Sequence, residues 1–305
     1  MPLDLARPAP SPTIIREASG AAPKLRTAVL GAGMLGIDLA QRLLGSASLD
    51  APLVAGREGS SGLRQAARMG CAISTSGIQA VLDAHVDIVF DASSAEAHPA
   101  HWAELASANV MLIDLTPSSG GTMVAPTVNG FRAETQRHLS LVSCGGQAVL
   151  PVLNVVAKHS TVNYVEVVTT VASASVGPAT RNNLDEYIST TGYAVRRLTD
   201  ASTTKVLATI SPALPAPAFR AQITVLADEI DSSALIAGVE SAACAVREFA
   251  PGYEVSAVGV ADDRITATVT VAARGGRLPA YAGNVEIINA AAVTLAERYA
   301  SSRRA

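Results

Sequence analysis

The chain has 305 residues, 49% of them apolar but only 4% aromatic, and its 23 basic and 26 acidic side chains are well mixed for a net charge of −3. That length holds two domains or one large α/β unit, and a core of Ala, Val, Leu and Ile suits parallel strands under close-packed helices. No basic stripe points to nucleic acid, no polybasic segment to a membrane surface, and no apolar run reaches the roughly 18 residues of a spanning helix.

Residues 1–25, rich in Pro, Ala and Ser, read as a flexible N-terminal extension and not as a secretory signal. From Arg26 the pattern alternates short apolar runs with amphipathic stretches. The run 27–30 predicts a buried strand, followed by a glycine turn and a helix to about Leu44. Further strands are expected at 52–55, near Cys71, at 87–90 and at 110–114, with helices over 62–69 and through Trp102. This rhythm describes a Rossmann-type, doubly wound parallel sheet. Beyond Ser143 the runs lengthen. Strands are expected at 162–173, 221–227 and 264–273, and helices at 184–198, 233–248 and 285–299. They predict a second α+β domain on a mostly antiparallel sheet.

Gly31, Gly33 and Gly36 stand as GxGxxG between the first strand and its helix. The first glycine permits the tight turn, the second lets a pyrophosphate approach the backbone, and the third lets the helix pack on the sheet. Outside this context the motif is an ordinary glycine turn; here it predicts a dinucleotide site. After the second strand, Arg57 with Ser60 and Ser61 occupies the place of a 2′-phosphate, which favours NADP over NAD. Glu58 beside it keeps a ribose contact open.

Cys144 follows a strand-like run and precedes Gly145 and Gly146. Pro151 is best tolerated in a helix's first turn, so the next helix is expected to start near Val149. The sulfur then lies in a glycine turn just before a helix N-terminus, where thiolate is favoured. A lone cysteine is more often a small buried hydrophobe, but flanking glycines leave this one little to pack on. Cys71 and Cys244 have no such turn and read as structural. Three distant cysteines without a CxxC pair suit a reducing compartment, and a cytoplasmic location is expected. His98 and His101 lie at helical spacing with no third ligand type beside them, so no metal is expected.

Six segments, GAGMLGIDL, VFDASSAEAH, IDLTPSSGG, VSCGGQAVLP, SVGPATRNNLDEY and LPAYAGN, run in order along the chain from about Arg26 to its end. In them the chain resembles the acylating acetaldehyde dehydrogenases, many of which pair with a 4-hydroxy-2-oxovalerate aldolase. The resemblance implies a cysteine nucleophile at Cys144 that carries an acyl thioester, with coenzyme A as co-substrate and an aldehyde or acyl thioester as substrate. It places cofactor contacts at Ala32, Gly33, Met34 and Leu35, at Ser175, Val176, Gly177 and Pro178 onward to Asn183, and at Asn284 beside the nicotinamide. Asn183 reads either as an amide that stabilises an oxyanion or as a helix cap. The implied domains are 26–143 with 280–305 for the cofactor and 144–279 for catalysis and homodimer formation.

The chain departs from the family in three ways. An Asp that follows an Arg in the family corresponds to Ala221, which cannot be a general base. The acidic residue that closes the second strand has become Arg57, and the stretch between Tyr253 and Arg274 is short. These departures suggest a relative that reduces a larger or carrier-bound acyl thioester with NADPH. Two other readings stand beside it: a phosphorylating semialdehyde-type dehydrogenase, and a weakly catalytic, cofactor-binding partner subunit of an aldolase.

Overall fold

The computed structural model describes residues 23–274 and 277–304, so nearly all of the extension expected over 1–25 lies outside the described residues. Four-residue runs buried on both faces form the middle of the first sheet: β1 (Thr27–Leu30), β4 (Ile88–Asp91), β5 (Met111–Asp114) and β7 (His138–Leu141). With β2 (Leu53–Ala55), β3 (Ala72–Ser74) and β6 (Thr122–Val124) they make seven strands in the order β3-β2-β1-β4-β5-β7-β6, every neighbouring pair parallel. The crossovers include α1 (Met34–Leu44), α2 (Ser61–Arg68), α3 (Gly77–Asp83), α4 (His98–Leu105) and α5 (Pro126–Asn129). Strand order reverses beside β1, which opens a crevice at the carboxyl ends of β1 and β4.

Helix α6 (Cys144–Lys158) leads from β7 into the second sheet. That sheet comprises β8 (Thr161–Ala172), β9 (Thr203–Ser211), β10 (Phe219–Asp228), β11 (Tyr253–Ala261) and β12 (Arg264–Val271), in the order β11-β12-β10-β8-β9. Three of its four pairings are antiparallel, as the sequence suggests; β8 and β9 are parallel. Between the strands run α7 (Pro178–Asn182), α8 (Leu184–Thr199) and α9 (Ser232–Arg247). Val165, Val167, Ile223 and Val225 turn one face of the sheet into a core shared with α6, α8 and α9. The opposite face carries half-buried or exposed Glu166, Val168, Gln222, Thr224 and Thr268.

The last helix, α10 (Gly283–Ser302), returns to the first domain. Its Glu286 carboxylate, 1% exposed, accepts at 2.6 Å from Arg42 of α1, which also bonds Asp38 at 2.7 Å. Asn289 donates to Leu35 O and to Asp38. A buried carboxylate is tolerable only when paired, so this network fastens α10 to the helix that starts at the glycine turn. Among the described residues no helix is long and apolar enough to cross a membrane.

Candidate active site

The glycine turn follows β1, and each glycine has its own reason. Gly31 has φ +107°, and a Cβ on it would meet Ala92 O at 2.5 Å. On Gly36 a Cβ would stand 2.0 Å from Gly31 O, so α1 could not pack there with any larger residue. At Gly33, the N-cap of α1, a Cβ would meet nothing within 4 Å among the described residues. The turn therefore leaves an open cradle beside the N-terminus of α1, where Met34 is exposed and Leu35 half-buried. A dinucleotide pyrophosphate fits such a cradle by charge and by size. Ala32 is pressed from the other side, since a Cβ on Gly62 would stand 1.9 Å from its carbonyl oxygen.

Arg57 is exposed in the β2–α2 loop. Ser60, grouped with it in the sequence, accepts instead from the backbone N–H groups of Gly62 and Leu63 and caps α2. Ser175 and Asn284 come together across the domains: Asn284 Nδ2 donates to Ser175 O at 3.1 Å. Asn284 Oδ1 is buried and has no hydrogen-bond partner among the described residues, which leaves an acceptor for a ligand's N–H. Val176 is buried, Gly177 half-buried and Pro178 exposed, on the segment between β8 and α8.

Helix α6 begins at Cys144 itself, not near Val149. Ser143 Oγ caps it by accepting from Gly146 N, and Gln147 N bonds Ser143 O. Pro151 is carried inside the helix, two turns from its start, and forfeits the bond to the Gln147 carbonyl. The helix is buried almost throughout, and that packing outweighs the lost bond. Gln147 Nε2 donates to Val124 O and Val142 O, which ties the helix start to the ends of β6 and β7. Cys144 thus occupies the first helical position, at the same carboxyl edge of the sheet as the glycine turn, and it packs against both hydrophobic cores.

Cys144 is half-buried, yet the protein packed around it pushes its thiol up to about 11. Against burial work the Tyr187 hydroxyl, 4.0 Å from Sγ, and the backbone N–H groups of Gly145 and Cys144. The expectation of an acidic thiol is corrected to that extent: the helix start is present, but burial dominates. Tyr187 lies on α8, which Asn183 opens at the N-cap without a side-chain cap bond. The Tyr187 hydroxyl also reaches Thr169 Oγ1 at 3.4 Å. Ala221 is buried on β10 directly opposite Thr169. Tyr187 and Thr169 were not singled out in the sequence; the only available signal was that Tyr187 closes the SVGPATRNNLDEY segment.

A second polar cluster lies along the same sheet. His98 Nδ1 is 2.9 Å from Asp91 Oδ2 and 3.4 Å from Asp114 Oδ1, while His98 Nε2 is 2.9 Å from His138 Nε2. His101 Nδ1 bonds Asp91 at 2.8 Å, and Trp102 stacks on His138. The sequence expectation that no other ligand type joins His98 is therefore corrected: two aspartates at strand ends stand with it, in a group whose donor atoms could reach one ion. Their oxygens are already taken. Asp91 Oδ1 accepts from Ser93, and Asp114 accepts from Thr116 N, Ser118 and Ser140. Burial would raise Asp91, but His101 and His98 hold it well below the usual carboxylate range. Burial works against charging His98 too, but Asp91 raises it, and burial beside that charge brings His138 down to about 4. The cluster reads as a buried ion network. Cys244, expected to be structural, is exposed beside Arg247, whereas Cys71 is buried.

A parallel sheet with a dinucleotide cradle and a cysteine on one edge defines a dinucleotide-dependent oxidoreductase. Residues 26–134 match the family model for the semialdehyde dehydrogenase NAD binding domain, and residues 144–279 match that for prokaryotic acetaldehyde dehydrogenase, dimerisation. The acetaldehyde dehydrogenase of Streptomyces griseus is 50% identical over 276 residues, 90% of either chain. Those of Pectobacterium atrosepticum and Geobacillus stearothermophilus are 38% and 35% identical over 92% of this chain and 97% and 98% of theirs. The chain belongs to the prokaryotic acetaldehyde dehydrogenase family, and the semialdehyde-type alternative is not favoured. Aspartate semialdehyde dehydrogenase II of Vibrio cholerae, solved with ASA, shares the fold with a TM-score of 0.63 at 16% identity, over 90% of this chain and 98% of that one.

Proposed function

We propose that the protein interconverts an aldehyde and an acyl-CoA, or a related acyl thioester, through a thioester on Cys144. The observation that carries this reading is the seat of Cys144: first residue of α6, between both cores, on the edge that bears the open Gly33 cradle. In the oxidative direction the Cys144 sulfur adds to the aldehyde carbon, and the oxygen takes up negative charge. Backbone N–H groups at the start of α6, with the Asn183 amide, are the donors for that oxygen. When bound, the nicotinamide supplies the hydride acceptor or donor. The thioester left on Cys144 is a good acyl donor to the thiol of coenzyme A.

The chain's own groups for the cofactor are Gly31, Ala32, Gly33, Met34, Leu35 and Gly36 at the pyrophosphate, and Ser175, Val176, Gly177, Pro178 and Asn284 at the nicotinamide end. The buried Asn284 Oδ1, without a hydrogen-bond partner among the described residues, supports the latter. Exposed Arg57 supports NADP over NAD. We assign 26–143 with 280–305 to the cofactor domain and 144–279 to the catalytic and dimerisation domain. The half-exposed face of the second sheet is the surface a second copy covers, and the matched dimerisation family supports a homodimer. The partner implied by the resemblance is a 4-hydroxy-2-oxovalerate-type aldolase, and three free cysteines support the cytoplasm as the compartment.

The test is cofactor oxidation by wild type and Cys144→Ala across a panel of acyl-CoAs, with NADPH and NADH compared. Turnover that depends on Cys144 supports the reading. A folded, cofactor-binding protein with no turnover on any member of the panel rejects it and favours the weakly catalytic aldolase subunit.

A further inference from the structure

The sulfur of Cys144 has no histidine or carboxylate among the groups that set its acidity; within the described residues these are the Tyr187 hydroxyl and two backbone N–H groups. Thr169 and Ser143 are the other side chains bonded to the Tyr187 hydroxyl; neither is an acid or base, and Thr169 faces the buried Ala221, which offers none. The phenol is 7% exposed, and Gly145 makes room for it: a Cβ there would stand 2.3 Å from Oη. A buried hydroxyl costs stability unless it is well bonded. Besides Ser143, its contacts are long, 3.4 Å to Thr169 and 4.0 Å to Sγ, which leaves the hydroxyl free to turn toward the sulfur.

We propose that Tyr187 is a catalytic residue whose hydroxyl donates a hydrogen bond to the Cys144 sulfur once that sulfur is a thiolate. The thiol proton leaves to solvent, the Tyr187 proton stays on oxygen, and the O–H turns from Thr169 toward the sulfur. Burial and the adjacent sulfur both push the Tyr187 hydroxyl up, so it remains a donor across the working range. A hydrogen bond to a charged acceptor is shorter and stronger than one to a neutral thiol, so the 4.0 Å contact is expected to tighten as the proton leaves. The residue's role in turnover rests on the proposed function; its effect on the thiol does not.

The test uses the full chain without cofactor. Iodoacetamide alkylation of Cys144 is followed by peptide mass spectrometry from neutral to alkaline pH in wild type and Tyr187→Phe, with exposed Cys244 as the internal standard. The expected result is a midpoint for Cys144 about one unit higher in the variant and a rate at pH 8 about tenfold lower. Cys244 should not change, and the melting temperature should stay near that of wild type. Superimposable Cys144 profiles, or a faster variant, overturn the proposal. A shifted profile in a protein whose turnover survives Cys144→Ala upholds the hydrogen bond and rejects the thioester mechanism instead.

Discussion

Gly145 and Tyr187 are fitted to each other: a methyl group on the glycine would sit 2.3 Å from the phenol oxygen and 2.8 Å from Thr169 Cγ2. Gly145→Ala must push the ring or the start of α6 aside. Overpacking of this kind costs about 1–3 kcal/mol, and a displacement of about 1 Å at a reacting centre can cost about a hundredfold in rate. The expected outcome is a lower melting temperature and a kcat reduced about a hundredfold. Adding Tyr187→Phe should restore part of the stability while leaving turnover low. If the two changes are simply additive in thermal melts, the contact does not couple them.

The glycines of the turn separate stability from binding. Gly36→Ala places a Cβ 2.0 Å from Gly31 O and should destabilise the whole domain. Gly33→Ala meets nothing within 4 Å among the described residues and should change stability by no more than about 0.5 kcal/mol. It should nevertheless weaken dinucleotide binding at least tenfold, because its methyl enters the space of the pyrophosphate. Fluorescence titration with NADH or NADPH beside a melt checks both; an unaffected affinity in Gly33→Ala would move the cofactor elsewhere.

What the sequence revealed and what it hid follow from the range of the interactions. The runs at β1, β4 and β5 are apolar and buried on both sides, so composition alone marks them. The edge strands β9 and β11 expose every second residue or more and carry Thr, Ser and Gly, which leaves little contrast against loops. Pro151 misplaced the start of α6, because a local rule about proline lost to the packing of a buried helix. Tyr187 and Cys144 are 43 residues apart and meet only because α8 crosses between β8 and β9. The aspartates joined by His98 end neighbouring parallel strands, a position that could have drawn notice, but their closure by His138 is purely tertiary.

Arg57 tests cofactor choice. It is exposed, so Arg57→Ala should leave the melt unchanged. If Arg57 meets a 2′-phosphate, KM for NADPH should rise about tenfold or more, with KM for NADH steady. Equal effects on the two cofactors, or none, would return the ribose contact to Glu58 and the preference to NAD.

The Asp91–His98 pair makes stability depend on pH in a direction that can be worked out. His98 is raised in the fold, so its contribution is present below its unfolded value near 6.5 and is lost as pH rises through the folded value. Asp91 is lowered, so its contribution is present above about 3.9 and is lost as pH falls toward its folded value. The pair therefore contributes most between about pH 4 and 6.5. His138, brought down to about 4, opposes it: the unfolded chain takes up that proton first as pH falls below about 6.5. Asp91→Asn leaves a buried imidazole whose protonation is no longer matched, with only Asp114 at 3.4 Å. Removing one partner of a buried pair costs about 3–5 kcal/mol. The melting temperature of Asp91→Asn should thus fall furthest below wild type near pH 5, and the gap should narrow as pH rises through the raised folded value of His98. A gap independent of pH would mean that His98 carries no charge in the fold and that Asp91 acts only as an acceptor for neutral donors.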